Sequence, residues 1–142
     1  MGKLSDAVLA DGTFNQVVAE CGDVVQREVK NKGLGIRTVF KVAQSAKPGL
    51  VEKALNRLMP DFARELDPFY AQYEASEATS FSQYVALNAS AVADAMLNVT
   101  DEKVQSVESK ALKGGYEKLR GKAQSEVAAA APAIAAVLEK YV

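Results

Sequence analysis

The chain predicts an all-α fold of about seven to nine short helices, packed as an irregular, largely orthogonal bundle. Three observations carry that prediction. Apolar residues recur at steps of three and four along most of the chain, and helix-start signatures alternate with proline or glycine stops. The period-two alternation of a half-buried strand is almost nowhere to be found. The 142 residues fit one helical domain, 1–142, with no linker or clear repeat to divide them.

A short opening helix is expected over 4–10, ending in the turn Asp11-Gly12. Thr13 then reads as an N-cap, with Gln16 completing a capping box. Behind it Phe14, Val17, Val18, Cys21, Val24, Val25 and Val29 form one apolar stripe. It runs to about Lys30 and is closed by Asn31-Lys32-Gly33. These β-branched residues would suit a strand, but the adjacent pairs Val17-Val18 and Val24-Val25 break strand alternation.

A third stripe, Leu34, Ile36, Val39, Phe40 and Ala43, must end before Pro48, because the residue preceding proline resists helical geometry. Pro48 suits a first helical turn, and Leu50, Val51, Ala54, Leu55 and Leu58 supply the face that follows. Pro60 is expected to open another helix bearing Phe62, Leu66, Phe69 and Tyr73, kinked or broken at Pro68.

Ser80 with Gln83 repeats the capping-box signature ahead of Phe81, Tyr84 and Val85, and a further segment from Ser90 carries Val92, Met96 and Val99. Thr100-Asp101-Glu102 reads as a helix start, with acids where the positive end of the dipole favours them. That helix is expected to stop at Gly114-Gly115. Tyr116, Leu119, Ala123 and Val127 follow, and Pro132 restarts a last helix with Ile134, Val137, Leu138 and Tyr141.

Composition narrows the function. Hydrophobic residues at 49% and charged residues at 25% are those of an ordinary globular domain, and the net charge of -1 leads us to expect no nucleic-acid partner. The single cysteine, Cys21, cannot form an internal disulfide, and as part of an apolar stripe it reads as a small core residue. The N-terminal residues lack the apolar stretch of a secretion signal, and Asp6 stands where a myristoylation pattern wants Ser or Thr. The uncharged, alanine-dominated run 127–138, which contains Pro132, falls short of the roughly 20 apolar residues of a membrane span. A soluble cytoplasmic protein without a membrane span is the expectation.

Catalytic chemistry is thinly supplied. Without histidine there is no Ser-His or Cys-His pair and no Glu-x-x-His metal helix, and one cysteine cannot build a zinc site. No catalytic residue, metal or cofactor is predicted. Asp11-Gly12-Thr13 echoes a phosphatase signature, but the nucleophile position is Leu9; it reads as a turn. Gly33-Leu34-Gly35 lacks the third glycine and the preceding strand of a dinucleotide loop. Asp61 and Glu65, one turn apart with Asp67 nearby, read as a solvated face, with a carboxylate-based enzyme as a remaining alternative.

Charge is unevenly spread. Segment 27–57 carries eight basic residues against two acids, net +6, and segment 61–102 carries eight acids against Arg64, net -7. Either the two segments neutralise each other, or Lys30, Lys32, Arg37 and Lys41 form a face for an anionic partner. Six aromatics, Phe62, Phe69, Tyr70, Tyr73, Phe81 and Tyr84, crowd into 62–84. They read as a core cluster, or as the wall of an apolar pocket with Tyr70 and Tyr73 as binding candidates.

Several landmarks recur together: Lys32-Gly33-Leu34-Gly35, Lys47-Pro48, Leu58-Met59-Pro60, Leu66-Asp67-Pro68-Phe69-Tyr70, Ser80-Phe81-x-x-Tyr84, Val99-Thr100-Asp101 and Leu119-Arg120-Gly121-Lys122-Ala123. With them the chain resembles, over nearly its whole length, a small all-helical actinobacterial family with no assigned function. That pattern often has tryptophan near Tyr70, and this chain has none. The resemblance implies a bacterial cytosolic helical domain and carries over no catalytic residues.

The function expected from the residues is non-enzymatic: a cytosolic binding or interaction protein that holds a small apolar ligand between helices or self-associates as a homo-oligomer. Docking of an anionic partner through 27–57 is the alternative.

Overall fold

The structure is a computed structural model that describes residues 2–30, 41 and 49–142. The described residues form six helices and no strand: α1 Lys3–Val8, α2 Phe14–Lys30, α3 Leu50–Glu74, α4 Phe81–Leu87, α5 Ala89–Gln105 and α6 Lys110–Glu139. Lys41, outside these six, is also helical and is exposed. The long α6 packs against α5, α4 and α2, while α1 lies on α3, and α3 also meets α2 and α5.

The all-helical expectation holds, but the expected seven to nine short helices are too many for the described residues. The difference lies at the punctuation. Pro60 and Pro68 both sit inside the 25 residues of α3, and Pro132 inside the 30 residues of α6. An interior proline removes one intrahelical bond and costs about 3 kcal/mol. The carbonyls deprived of a donor by Pro60 and Pro68 belong to Asn56 and Arg64, both exposed residues on the solvent side of α3, where water can take the place of the lost donor. Apolar burial runs through the prolines without interruption, since Met59, Phe62, Ala63, Leu66 and Tyr70 are all buried. Packing of one continuous face outweighs the local penalty.

α6 likewise runs on through Gly114-Gly115, where each glycine costs only about 1 kcal/mol relative to alanine. Thr100 also changes role, because its hydroxyl donates to the Leu97 carbonyl at 2.9 Å from within α5 instead of capping a new helix. The real break falls at 106–109, where the Ser109 hydroxyl accepts the Leu112 amide at 3.3 Å and starts α6.

Other elements follow the sequence closely. α2 begins directly after Thr13. The Ser80 hydroxyl accepts the Gln83 amide at 3.1 Å, and the Gln83 side chain reaches back to the Thr79 amide at 2.7 Å, one residue earlier than an ideal capping box. At the centre of the core Leu4, Val8, Val17, Cys21, Phe81 and Leu138 exclude solvent completely or nearly so.

α1 has only 6 residues and is held from outside itself. The Ser5 amide donates to Asp67 Oδ1 of α3 at 2.8 Å, and its hydroxyl donates to Asp67 Oδ2 at 2.6 Å. A Cβ built on Gly2 would stand 2.0 Å from Asp67 Cγ. Glycine at that position is what lets the carboxylate reach the first turn of α1.

Candidate functional site

Periodic stripes on four helices line a half-open apolar cleft of about 260 Å³. α2 contributes Cys21, Val25 and Glu28, spaced four and three residues apart, so one side of the helix faces the space. α3 contributes Leu55, Met59, Phe62 and Leu66 in the same rhythm, and α5 adds Met96. From α6 come Val127, Ala130, Ala131, Ile134 and Leu138, with Glu126 at the start of the stripe. The alanines set the shape: α6 is alanine-rich over 128–136, and small side chains there leave room that larger ones would occupy.

Chemically the described lining is a hydrocarbon surface bearing two half-buried carboxylates, Glu28 and Glu126. No lysine or arginine is among its described lining residues. Cys21 faces the cleft but is fully buried, and that burial, reinforced by neighbouring Glu20, pushes its thiol up to about 12. It remains a protonated, unreactive thiol at neutral pH, as its place in the α2 stripe suggests.

Beside one end of the cleft, past Leu138, Lys140 and Tyr141 both donate to the Glu20 carboxylate of α2. These bonds, Lys140 first, hold Glu20 below the usual carboxylate range. A second tie joins α5 to α6. Arg120 grips Asp101 with two bonds, Nε to Oδ1 at 2.9 Å and a terminal nitrogen to Oδ2 at 3.0 Å, and the Tyr116 hydroxyl donates to the same carboxylate. Asp101 is therefore also lowered, by Arg120 first and Tyr116 second. Both clusters are internally matched and fasten helices together.

The sequence-predicted site residues fare differently. Tyr70 is buried, 5.0 Å from the Phe81 ring in an edge-on contact and 5.4 Å from Tyr73, which itself lies 6.5 Å from Tyr84. Tyr70 and Phe81 are core and Tyr73 packs against it, and of the 62–84 aromatics only Phe62 is among the described residues lining the cleft. Tyr70 and Tyr73 pack on the side of α3 that turns toward α4 and are not among the described lining of the cleft. Lys32 and Arg37 lie outside the described residues, as does the side chain of Lys30, and Lys41 is exposed.

Exposed Arg27, Lys53 and Arg57 join no acid of 61–102 in the described ion pairs. The acids Asp61, Glu74 and Asp101 pair instead with Arg64 and Lys103, Lys3, and Arg120. Asp61 sits 2.9 Å from Lys103 and 3.4 Å from Arg64 in a second, half-open polar depression that also includes Glu65. Sequence reasoning missed Glu28 and Glu126. The signal was present, since each is a charged residue standing in register with an apolar stripe.

An all-helical protein with an apolar interhelical cleft is the class that fold and site define. The chain belongs to a family of unknown function (DUF6918), whose pattern matches residues 4–142. No curated protein and no solved structure matches the chain. Among the described residues, no helix is long and apolar enough to cross a membrane.

Proposed function

We propose that the protein is a non-enzymatic binding protein of the bacterial cytoplasm that holds a small apolar molecule between α2, α3, α5 and α6. The cleft is the observation that carries this reading: about 260 Å³ of space whose walls are almost wholly hydrocarbon. A dry apolar cavity of about 150 Å³ accommodates benzene, so this one suits a ligand of about ten carbon atoms. Side chains from four helices line it, and Cys21, Met59, Phe62, Leu66, Ala131 and Leu138 are themselves buried. The space is therefore a half-open cleft whose floor is the packed interior. The buried, free Cys21 accords with a reducing compartment.

Titration calorimetry with 1-decanol tests the reading. Saturable binding with a negative heat-capacity change is expected for burial of the alkyl chain. Ala130→Phe places a ring in the space from a half-buried position on α6 and is expected to weaken binding at least about tenfold while leaving the fold intact. Absence of decanol binding, or a folded Ala130→Phe protein that binds as the parent does, would sink the proposal.

A further inference from the structure

Sulfur is concentrated at the cleft. After Met1 the chain's sulfur atoms are those of Cys21, Met59 and Met96, and all of these residues line this one space. They come from three different helices, α2, α3 and α5. Phe62, one turn beyond Met59 on α3, adds an aromatic ring to the lining. α6 contributes Ala130 and Ala131, whose short side chains leave a low wall. Resting on the cleft as a ligand site, we infer that it selects neutral bicyclic aromatic molecules of naphthalene size over saturated ones, with Met59, Met96 and Phe62 as the selecting residues.

Size, charge and polarisability each narrow the ligand. A dry apolar cavity of about 150 Å³ takes one benzene ring, so about 260 Å³ suits two fused rings. A fused ring pair is rigid and gives up little conformational freedom on binding, whereas a chain of the same carbon count must fix its torsions. Glu28 and Glu126 are already engaged within the protein, and no lysine or arginine is among the described lining. The space therefore suits a molecule without charge, since a charged head would be buried without a partner of its own. Apolar burial alone does not separate an aromatic bicycle from its saturated counterpart, because both remove similar area from water. Sulfur does separate them. A polarisable thioether about 5 Å from a ring, often at its edge, is attracted to it, and a saturated ring offers no such partner. Phe62 adds the edge-to-face or offset contacts that aromatic pairs prefer. Met59 is buried and Met96 half-buried, and their unbranched side chains adapt to a flat guest.

A matched pair of bicyclic alcohols tests the assignment. 2-Naphthol and decahydro-2-naphthol share the same carbon skeleton and one hydroxyl, and both are uncharged at neutral pH. By calorimetry the naphthol is expected to bind at least about fivefold tighter. In protein isotope-labelled at its methionine methyls, the naphthol's ring current should move the Met59 and Met96 signals, and the saturated alcohol should move them far less. The double variant Met59→Leu, Met96→Leu keeps side-chain volume and removes both thioethers, so the naphthol's advantage should fall below about twofold. The methyl shifts in the parent protein stand as a test even if that variant fails to fold. A saturated alcohol that binds as tightly as the naphthol overturns the aromatic assignment and leaves the apolar site standing. Failure of both bicyclic alcohols while 1-decanol binds does the same. A naphthol preference with unmoved methyl signals, or one that survives in the folded double variant, overturns the roles of Met59 and Met96. Failure of all three alcohols overturns the cleft and the selectivity together.

Discussion

Removing the Asp67 carboxylate tests a single long-range anchor of the fold. Ser5 is completely buried, and it loses an acceptor for its amide at 2.8 Å and another for its hydroxyl at 2.6 Å. Hydrogen bonds to charged acceptors contribute about 1.5–3 kcal/mol each. In Asp67→Ala the hydroxyl still has the Gly2 carbonyl at 3.1 Å, so the orphaned amide dominates and the expected loss is about 2–4 kcal/mol.

Gly2→Ala attacks the same contact from the other side. Its Cβ would meet the Asp67 carboxyl carbon at 2.0 Å, so the carboxylate or α1 must withdraw, at about 2–3 kcal/mol. Without the carboxylate, the three nearest obstacles to that Cβ are gone. The double variant should therefore be about as stable as Asp67→Ala alone, a coupling of about 2 kcal/mol where independent sites would simply add. Urea denaturation of the four proteins, followed by helical circular dichroism, measures the cycle. A cycle that closes additively to within about 0.5 kcal/mol would refute the Asp67 anchor and the steric reason for Gly2.

Two further outcomes follow from the charged and titrating groups. With its thiol held near 12 by burial, Cys21 should react with an exposed-thiol reagent only at the rate of unfolding, and prompt labelling of native protein would contradict its place in the core. Glu20 is lowered from its ordinary 4.5 and Asp101 from 3.8. The stability each contributes is therefore fully present above those ordinary values and is lost as pH falls through the folded ones. The thermal midpoint should decline below about pH 4.5, less steeply in Glu20→Gln, and identical acid profiles for the two proteins would show that the Lys140–Tyr141 tie contributes nothing.

What the residues determined unaided was local. Helical periodicity, a start after Thr13, the cap at Ser80 and the core position of Cys21 all depend on interactions within a turn or two, and the structure shows each of them. Proline and glycine misled because their penalties were weighed locally. Burial along α3 and around Pro132 of α6 exceeds the cost of the prolines, and the two glycines of α6 cost only about 1 kcal/mol each.

Tertiary structure decided the rest. Nothing near Asp67 in sequence points to Ser5, 62 residues away, and nothing in 62–84 reveals that its rings turn to α4 while Phe62 alone faces the cleft. The cleft exists only where stripes from α2, α3, α5 and α6 converge around small alanines. Each stripe is legible by itself, but the space between them depends on how four helices pack, and that is set by the summed fit of side chains far apart in the chain.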